Sequence, residues 1–134
     1  MSDLALMEVQ RALYTKLGGD GVLMGMVTGV YDAVPQKTAL PYVVIGDGRA
    51  NVEPADELNI TELQMQIDVW GDATGRKKVL TILNHIFALM HLGTLALAGY
   101  QQVLLRCEQA DTEIAEQGQN TRGVLIVRAV MAEV

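Results

Sequence analysis

Thr61-Glu62-Leu63-Gln64-Met65-Gln66-Ile67-Asp68-Val69-Trp70 alternates without a break: Leu63, Met65, Ile67 and Val69 fall on one side, Glu62, Gln64, Gln66 and Asp68 on the other. Successive side chains of a strand point to opposite faces, so this is the pattern of an antiparallel strand with one face in a core and the other toward water.

Upstream, Tyr42-Val43-Val44-Ile45 is too short for a helix and rich in β-formers. Pro41 opens this run, and Gly46-Asp47-Gly48 is expected to end it. The segment Gly46–Asn59 then reads as a long loop or the tip of an extended hairpin, with Asp47, Glu53, Asp56 and Glu57 against the single base Arg49. Loops of this length inside small domains are usually functional or mobile. Val30–Val34 is expected to be extended, because Pro35 pushes the residue before it out of helical space. Leu6, Val9, Leu13 and Leu17 recur at helical spacing, with Ser2 or Asp3 as the cap and Gly18-Gly19 as the stop. Val22–Val27 reads as a short turn of helix.

Downstream, Gly71-Asp72-Ala73-Thr74 predicts a turn that caps a helix running to about Met90. Val79, Ile82, Leu83, Ile86, Phe87 and Met90 form its apolar face, with Lys78, Thr81, Asn84 and His85 opposite. Two strands close the chain. In Tyr100–Ala110, Val103, Leu105 and Cys107 alternate with Leu104, Arg106 and Glu108. In Thr121–Glu133, Leu125, Val127, Ala129 and Met131 alternate with Val124, Ile126, Arg128 and Val130. Apolar residues on both faces of that last strand predict cover on both sides, by helices, a neighbouring subunit or both. Asp111–Asn120, with Asp111, Glu113 and Glu116, reads as a second projecting acidic loop. The fold expected is α+β: an antiparallel or mixed sheet of four to five strands, two main helices on one face, in the order α-β-β-β-α-β-β. Residues 1–134 are expected to form one domain.

Composition narrows the function classes. The chain has 134 residues, half of them apolar, with seven methionines and only one Phe and one Trp, so the core must be aliphatic. A net charge of −6 and an isoelectric point near 4.7 oppose nucleic-acid binding, which rests on cations neutralising phosphates. The densest basic cluster, Arg76-Lys77-Lys78, opens a helix and reads as a solvated face. One cysteine permits no intrachain disulfide, and no signal peptide or membrane-length apolar run is visible. A soluble protein made in the cytoplasm is expected.

Candidate chemistry fails residue by residue. The only serine is Ser2, which removes a serine triad. Cys107 lies on the apolar face of a strand and reads as core packing. His85 and His91 are six apart on and just past one helix, where i,i+4 spacing would be needed for shared ligation. Glu53 with Asp56 or Glu57, and Asp111 with Glu113, are carboxylate pairs in expected loops with nothing to desolvate them. Gly18-Gly19-Asp20-Gly21 and Gly46-Asp47-Gly48 lack the strand-to-helix setting of a phosphate cradle. No catalytic, cofactor or metal residue is assigned, and an enzyme is not expected.

The order Val30-Tyr31-Asp32-Ala33-Val34-Pro35, a short linker, then Pro41-Tyr42-Val43-Val44-Ile45-Gly46 resembles the tail-terminator, or tail-completion, proteins of siphophages, which also occur in prophages and gene transfer agents. The alternating strand Leu63–Trp70, Gly75-Arg76-Lys77 before a helix, Val103–Glu108, and Gly123 and Arg128 in the closing strand follow the family pattern. The resemblance covers roughly residues 4 to 132, and the long Gly46–Asn59 segment departs from it. Tyr31, Pro35, Pro41, Tyr42 and Trp70 carry fold-determining roles in this pattern. The resemblance implies a ring, usually a hexamer, on the head-proximal end of the tail tube. There it stops polymerisation and meets the head connector or stopper, with DNA passing through unbound. It further implies assembly in the host cytoplasm, then residence in the tail of the particle, with no membrane partner. An acidic lumen suits DNA passage. One acidic loop, Gly46–Asn59 or Asp111–Asn120, is expected to line the bore while the other meets a partner ring. The alternative is a small homo-oligomeric regulatory or ligand-binding α/β domain, which requires an enclosed polar-lined pocket between helix and sheet.

Overall fold

The computed structural model describes residues 5–52, 60–115 and 120–133. In chain order these form α1 (Leu6–Gly18), α2 (Gly21–Met24), β1 (Val30–Tyr31), β2 (Tyr42–Val52), β3 (Ile60–Asp72), α3 (Arg76–Met90), β4 (Tyr100–Ala115) and β5 (Asn120–Glu133). One five-stranded sheet runs β1-β2-β3-β5-β4. β1 is parallel to β2 and the remaining pairings are antiparallel, so the sheet is mixed. The expected α+β class and order hold, and the short turn of helix is α2.

The alternation of β3 sets which face is inner. Leu63, Met65, Ile67 and Val69 are buried, and their register partners on β5 are Ala129, Val127, Leu125 and Gly123. α1 packs this face through Val9, Leu13 and Leu17, α3 through Val79, Ile82, Leu83, Ile86 and Met90. Burying each large aliphatic side chain contributes about 1.5–3 kcal/mol before the entropy of ordering it is charged. α3 comes close to the sheet over two glycines. A Cβ at Gly71 would lie 2.6 Å from Cγ2 of Val79, and one at Gly123 2.7 Å from its Cγ1. Val79 is thus a knob seated where the strands carry no side chains.

Several boundaries differ from the sequence reading, for identifiable reasons. Gly46-Asp47-Gly48 does not end β2. It forms a bulge between Ile45 and Gly48, after which pairing with β3 continues to Val52. Asp111–Asn120 is not a loop throughout, because β4 extends to Ala115, with Asp111 opposite Val124 and Glu113 opposite Arg122. Register shifts between Gln102 and Leu104 and between Cys107 and Gln109 reset the alternation of β4. They leave Val103 exposed instead of beside Leu105. A bulge places two residues against one, so strict period-two reading fails across it.

Phe87 is also displaced from its expected core position. It is 42% exposed and stacks on His91, ring centroids 4.7 Å apart. Gly75 precedes α3 with no side-chain cap. Asp72 instead accepts from the Thr74 N–H and hydroxyl, closing the turn without capping the helix. α1 begins at Leu6 with Ala5 at its N-cap and no side-chain cap, so the cap expected from Ser2 or Asp3, which lie outside the described residues, is not the one this helix has.

Candidate functional site

α1 and α3 cover the inner face, which leaves the outer face of the sheet without a helix of this chain among the described residues. Val124, Ile126 and Val130 are only half-buried there. Of the two kinds of cover expected over β5, the chain's own helices supply one side.

A row of side chains crosses this outer face near the end where β3 finishes. Tyr31 meets Tyr42 edge to face, centroids 6.1 Å apart. Tyr42 is opposite Trp70, and Trp70 is opposite Arg122. The Arg122 guanidinium carbon lies 5.4 Å from the Trp70 ring centroid, a cation–π distance. Arg122 also bonds Asp68 at 2.9 Å and Glu113 at 3.3 Å. Its pKa is raised, first by the bond to Asp68, so it stays charged although partly desolvated. Nearer the other end, Arg128 bonds Glu62 at 2.8 Å, and this bond lowers the Glu62 pKa.

The aromatic distribution is informative. The chain has four tyrosines, one tryptophan and one phenylalanine, and none of them is in the buried core. An aliphatic core and surface aromatics invert the usual preference, since aromatic rings dominate both core and interface energetics. Tyr31, Tyr42 and Trp70, named on the sequence as fold-determining, stand on the outer face.

The two long hairpins leave the sheet at opposite ends. Ile60 pairs with Ala132 near the close of β5, whereas Asp72 pairs with Asn120 at its start. The β2–β3 connection therefore joins strands at one end of the sheet and the β4–β5 connection at the other. Of the residues expected in the two acidic loops, Asp47 and Arg49 are exposed on β2, and Asp111 and Glu113 are exposed on β4. Glu53, Asp56, Glu57 and Glu116 lie outside the described residues.

Asp20, His85, His91 and Cys107 are engaged structurally. Asp20 Oδ2 accepts from the Leu23 N–H at 2.9 Å and meets His85 Nε2 at 2.5 Å, tying α2 to α3. His85, read on the side opposite the apolar face, is thus half-buried against α2. His91 Nδ1 accepts from the Cys107 N–H. Burial pushes the Cys107 thiol up to about 11, which suits a packing role. Among the described residues no three His, Cys, Asp or Glu side chains are grouped for a metal ion, and no helix is long and apolar enough to cross a membrane. The space between α3 and the sheet is filled by Ile82, Leu83 and Ile86. A groove of about 620 Å³ lies instead at the start of α3, lined by Met26, Leu40 and Pro41 and by Lys77 and Lys78.

The sheet thus has one face covered by helices, a row of aromatic and charged side chains across the other, and its two hairpin connections at opposite ends. Residues 11–132 match the family model described as Tail completion protein gp17, and the chain belongs to that family. It is a structural protein of phage-type tail assembly. Among solved structures, a chain in the virion of a native gene transfer agent (GTA) particle superposes with a TM-score of 0.89 at 26% identity, covering 98% of this chain and 99% of that one. The bacteriophage SPP1 gp17 protein superposes with a TM-score of 0.53 at 23% identity, over 95% and 91% of the two chains, a likeness of fold. No curated protein matches the sequence.

Proposed function

We propose that the chain acts non-enzymatically, as one domain over residues 1–134, in a ring of identical subunits on the head-proximal end of a tail tube. The ring, a hexamer in this reading, stops tube growth, presents its other side to the head connector or stopper, and lets DNA through without specific binding. The observation that carries the reading is the placement of the two hairpins at opposite ends of one sheet, in a chain of the tail-completion family. A subunit that must line a passage with one feature and meet a partner ring with another needs the two held apart, and the opposite ends of the sheet keep them so. The match to a gene transfer agent virion extends the reading to particles of that kind. The net charge of −6 favours passage over retention of phosphates. Asp47, Arg49, Glu53, Asp56 and Glu57 belong to one hairpin, Asp111, Glu113 and Glu116 to the other. One set lines the bore and the other meets the partner.

The test is negative-stain imaging of purified tail tubes with and without the protein, together with addition of fresh tube subunits. The expected result is a cap on one end of each tube and no elongation at the capped end. Tubes that elongate equally at both ends, with protein absent from either tip, refute it.

A further inference from the structure

Arg76, Lys77 and Lys78 are exposed at the start of α3, and none of their side chains forms an ion pair or hydrogen bond among the described residues. No acidic residue occupies that first turn and no side chain caps it. A helix N-terminus carries positive partial charge, so three cations there repel both each other and the helix end. The sequence alone reads this triplet as a solvated face. In a chain where acids outnumber bases sixteen to ten, leaving the densest basic cluster unpartnered is the opposite of what the intrachain charges favour.

The complementary surface is on the other side of the sheet. The row through Tyr42, Trp70 and Arg122 is flanked by Glu113 and, two residues along β4, by Asp111. Tyr, Trp and Arg are the residues enriched at interface hot spots. Both surfaces lie at the end of the sheet where Asp72 pairs with Asn120, one in the helix layer and the other on the open face. Copies arranged side by side can therefore bring them together without sliding along the strands. A contact between two different patches of the same chain is heterologous, the type that closes a ring.

We infer that Lys77 and Lys78 of one copy dock against the outer-face row of the next copy, beside Trp70, Asp111 and Glu113. This inference rests on the ring reading, names the contact that would close the ring, and reassigns Asp111 and Glu113 from the bore or partner-ring surface to the contact between neighbouring copies. The occupant is a second copy, because the charge that α3 lacks is carried by this same chain at the same level of the sheet. The neighbouring groove wall of Met26, Leu40 and Pro41 adds apolar surface beside the lysines, so the interface has both an apolar and a charged component.

The test uses two single-surface variants, Lys77→Glu/Lys78→Glu and Asp111→Lys/Glu113→Lys, and the chain carrying all four changes. Ring formation is measured by native mass spectrometry and by imaging on tail-tube ends, with circular dichroism checking the fold. Each two-site variant is expected to assemble about tenfold or more weakly than the unmodified chain. The four-site chain, and an equimolar mixture of the two variants, are expected to recover rings. If the Asp111 and Glu113 changes disturb the fold, Trp70→Ala takes their place as the weakening variant. Rings that persist unchanged in Lys77→Glu/Lys78→Glu overturn this contact and leave the ring reading intact. Loss without recovery in the four-site chain overturns the second copy as occupant. An unmodified chain that forms no ring even on tube ends defeats the ring reading, and this contact with it.

Discussion

Replacing Gly123 by alanine tests how α3 is seated on the sheet. The new Cβ would meet Val79 Cγ1 and Leu83 Cδ1 at 2.7 Å and Leu83 Cγ at 3.0 Å, where carbon atoms prefer about 3.5–4.0 Å. Val79 is fully buried and Leu83 nearly so, and a β-branched residue in a helix has one favoured rotamer. The clash is therefore relieved by moving the helix rather than by turning a side chain. Overpacking of this kind costs about 1–3 kcal/mol. Against it stands about 0.4–1 kcal/mol from restricting the unfolded chain. The overpacking term wins, leaving a net loss of about 1–2 kcal/mol, or a melting temperature lower by about 3–8 °C for a domain of this length. Urea unfolding followed by circular dichroism measures it, with an unchanged slope expected because the exposed area barely changes. Val79→Ala alone should also destabilise, by leaving a cavity. The double variant should lose less than the two single losses added, with a coupling of about 0.5 kcal/mol or more. A Gly123→Ala protein as stable as the parent, or losses that simply add, would refute the seating of Val79 over the two glycines.

Asp20 offers a pH test. Its pKa is lowered, first by the Leu23 N–H and then by His85, so it contributes stability above its ordinary value of 3.8 that is lost as pH falls through the lower folded value. Asp20→Asn keeps an acceptor for the Leu23 N–H but loses the charge. It should be less stable than the parent near neutral pH, and thermal melts should show the gap closing below about pH 4; a gap independent of pH contradicts the assignment. Cys107, with its thiol pushed up to about 11 and half-buried, should react with iodoacetamide on the order of a hundredfold more slowly in the folded protein than in urea. Equal labelling rates by mass spectrometry would mean that the thiol is not held in the packed environment described.

Legibility in the sequence followed the range of the interactions. Leu63 to Val69 announced a half-buried strand because the pleat imposes its period on neighbouring residues. α1 and α3 were readable from stripes at helical spacing, with Phe87 at the stripe's margin the one misplaced member. The bulges at Ile45/Gly48 and Cys107/Gln109 were not readable, because a bulge is defined by the strand opposite. Extension of β4 through Asp111 and Glu113 was hidden for the same reason: polar residues continue a strand when β5 supplies the hydrogen bonds. The candidate residues were recognisable as acidic or aromatic, but not as members of one row.

Composition, periodicity and motif order by themselves determined an aliphatic-core α+β chain, the resemblance to tail-completion proteins, and an acidic balance unsuited to holding DNA. Strand pairing in three dimensions put Arg122 over the Trp70 ring, added Tyr31 and Tyr42 to that row, and set the β2–β3 and β4–β5 connections at opposite ends of the sheet. Those relations depend on the β1–β2, β2–β3 and β3–β5 pairings, the last of which brings Trp70 to Arg122 and Ile60 to Ala132. Local propensity acts over a few neighbours along the chain, whereas register is settled by which buried faces coincide when distant strands pair.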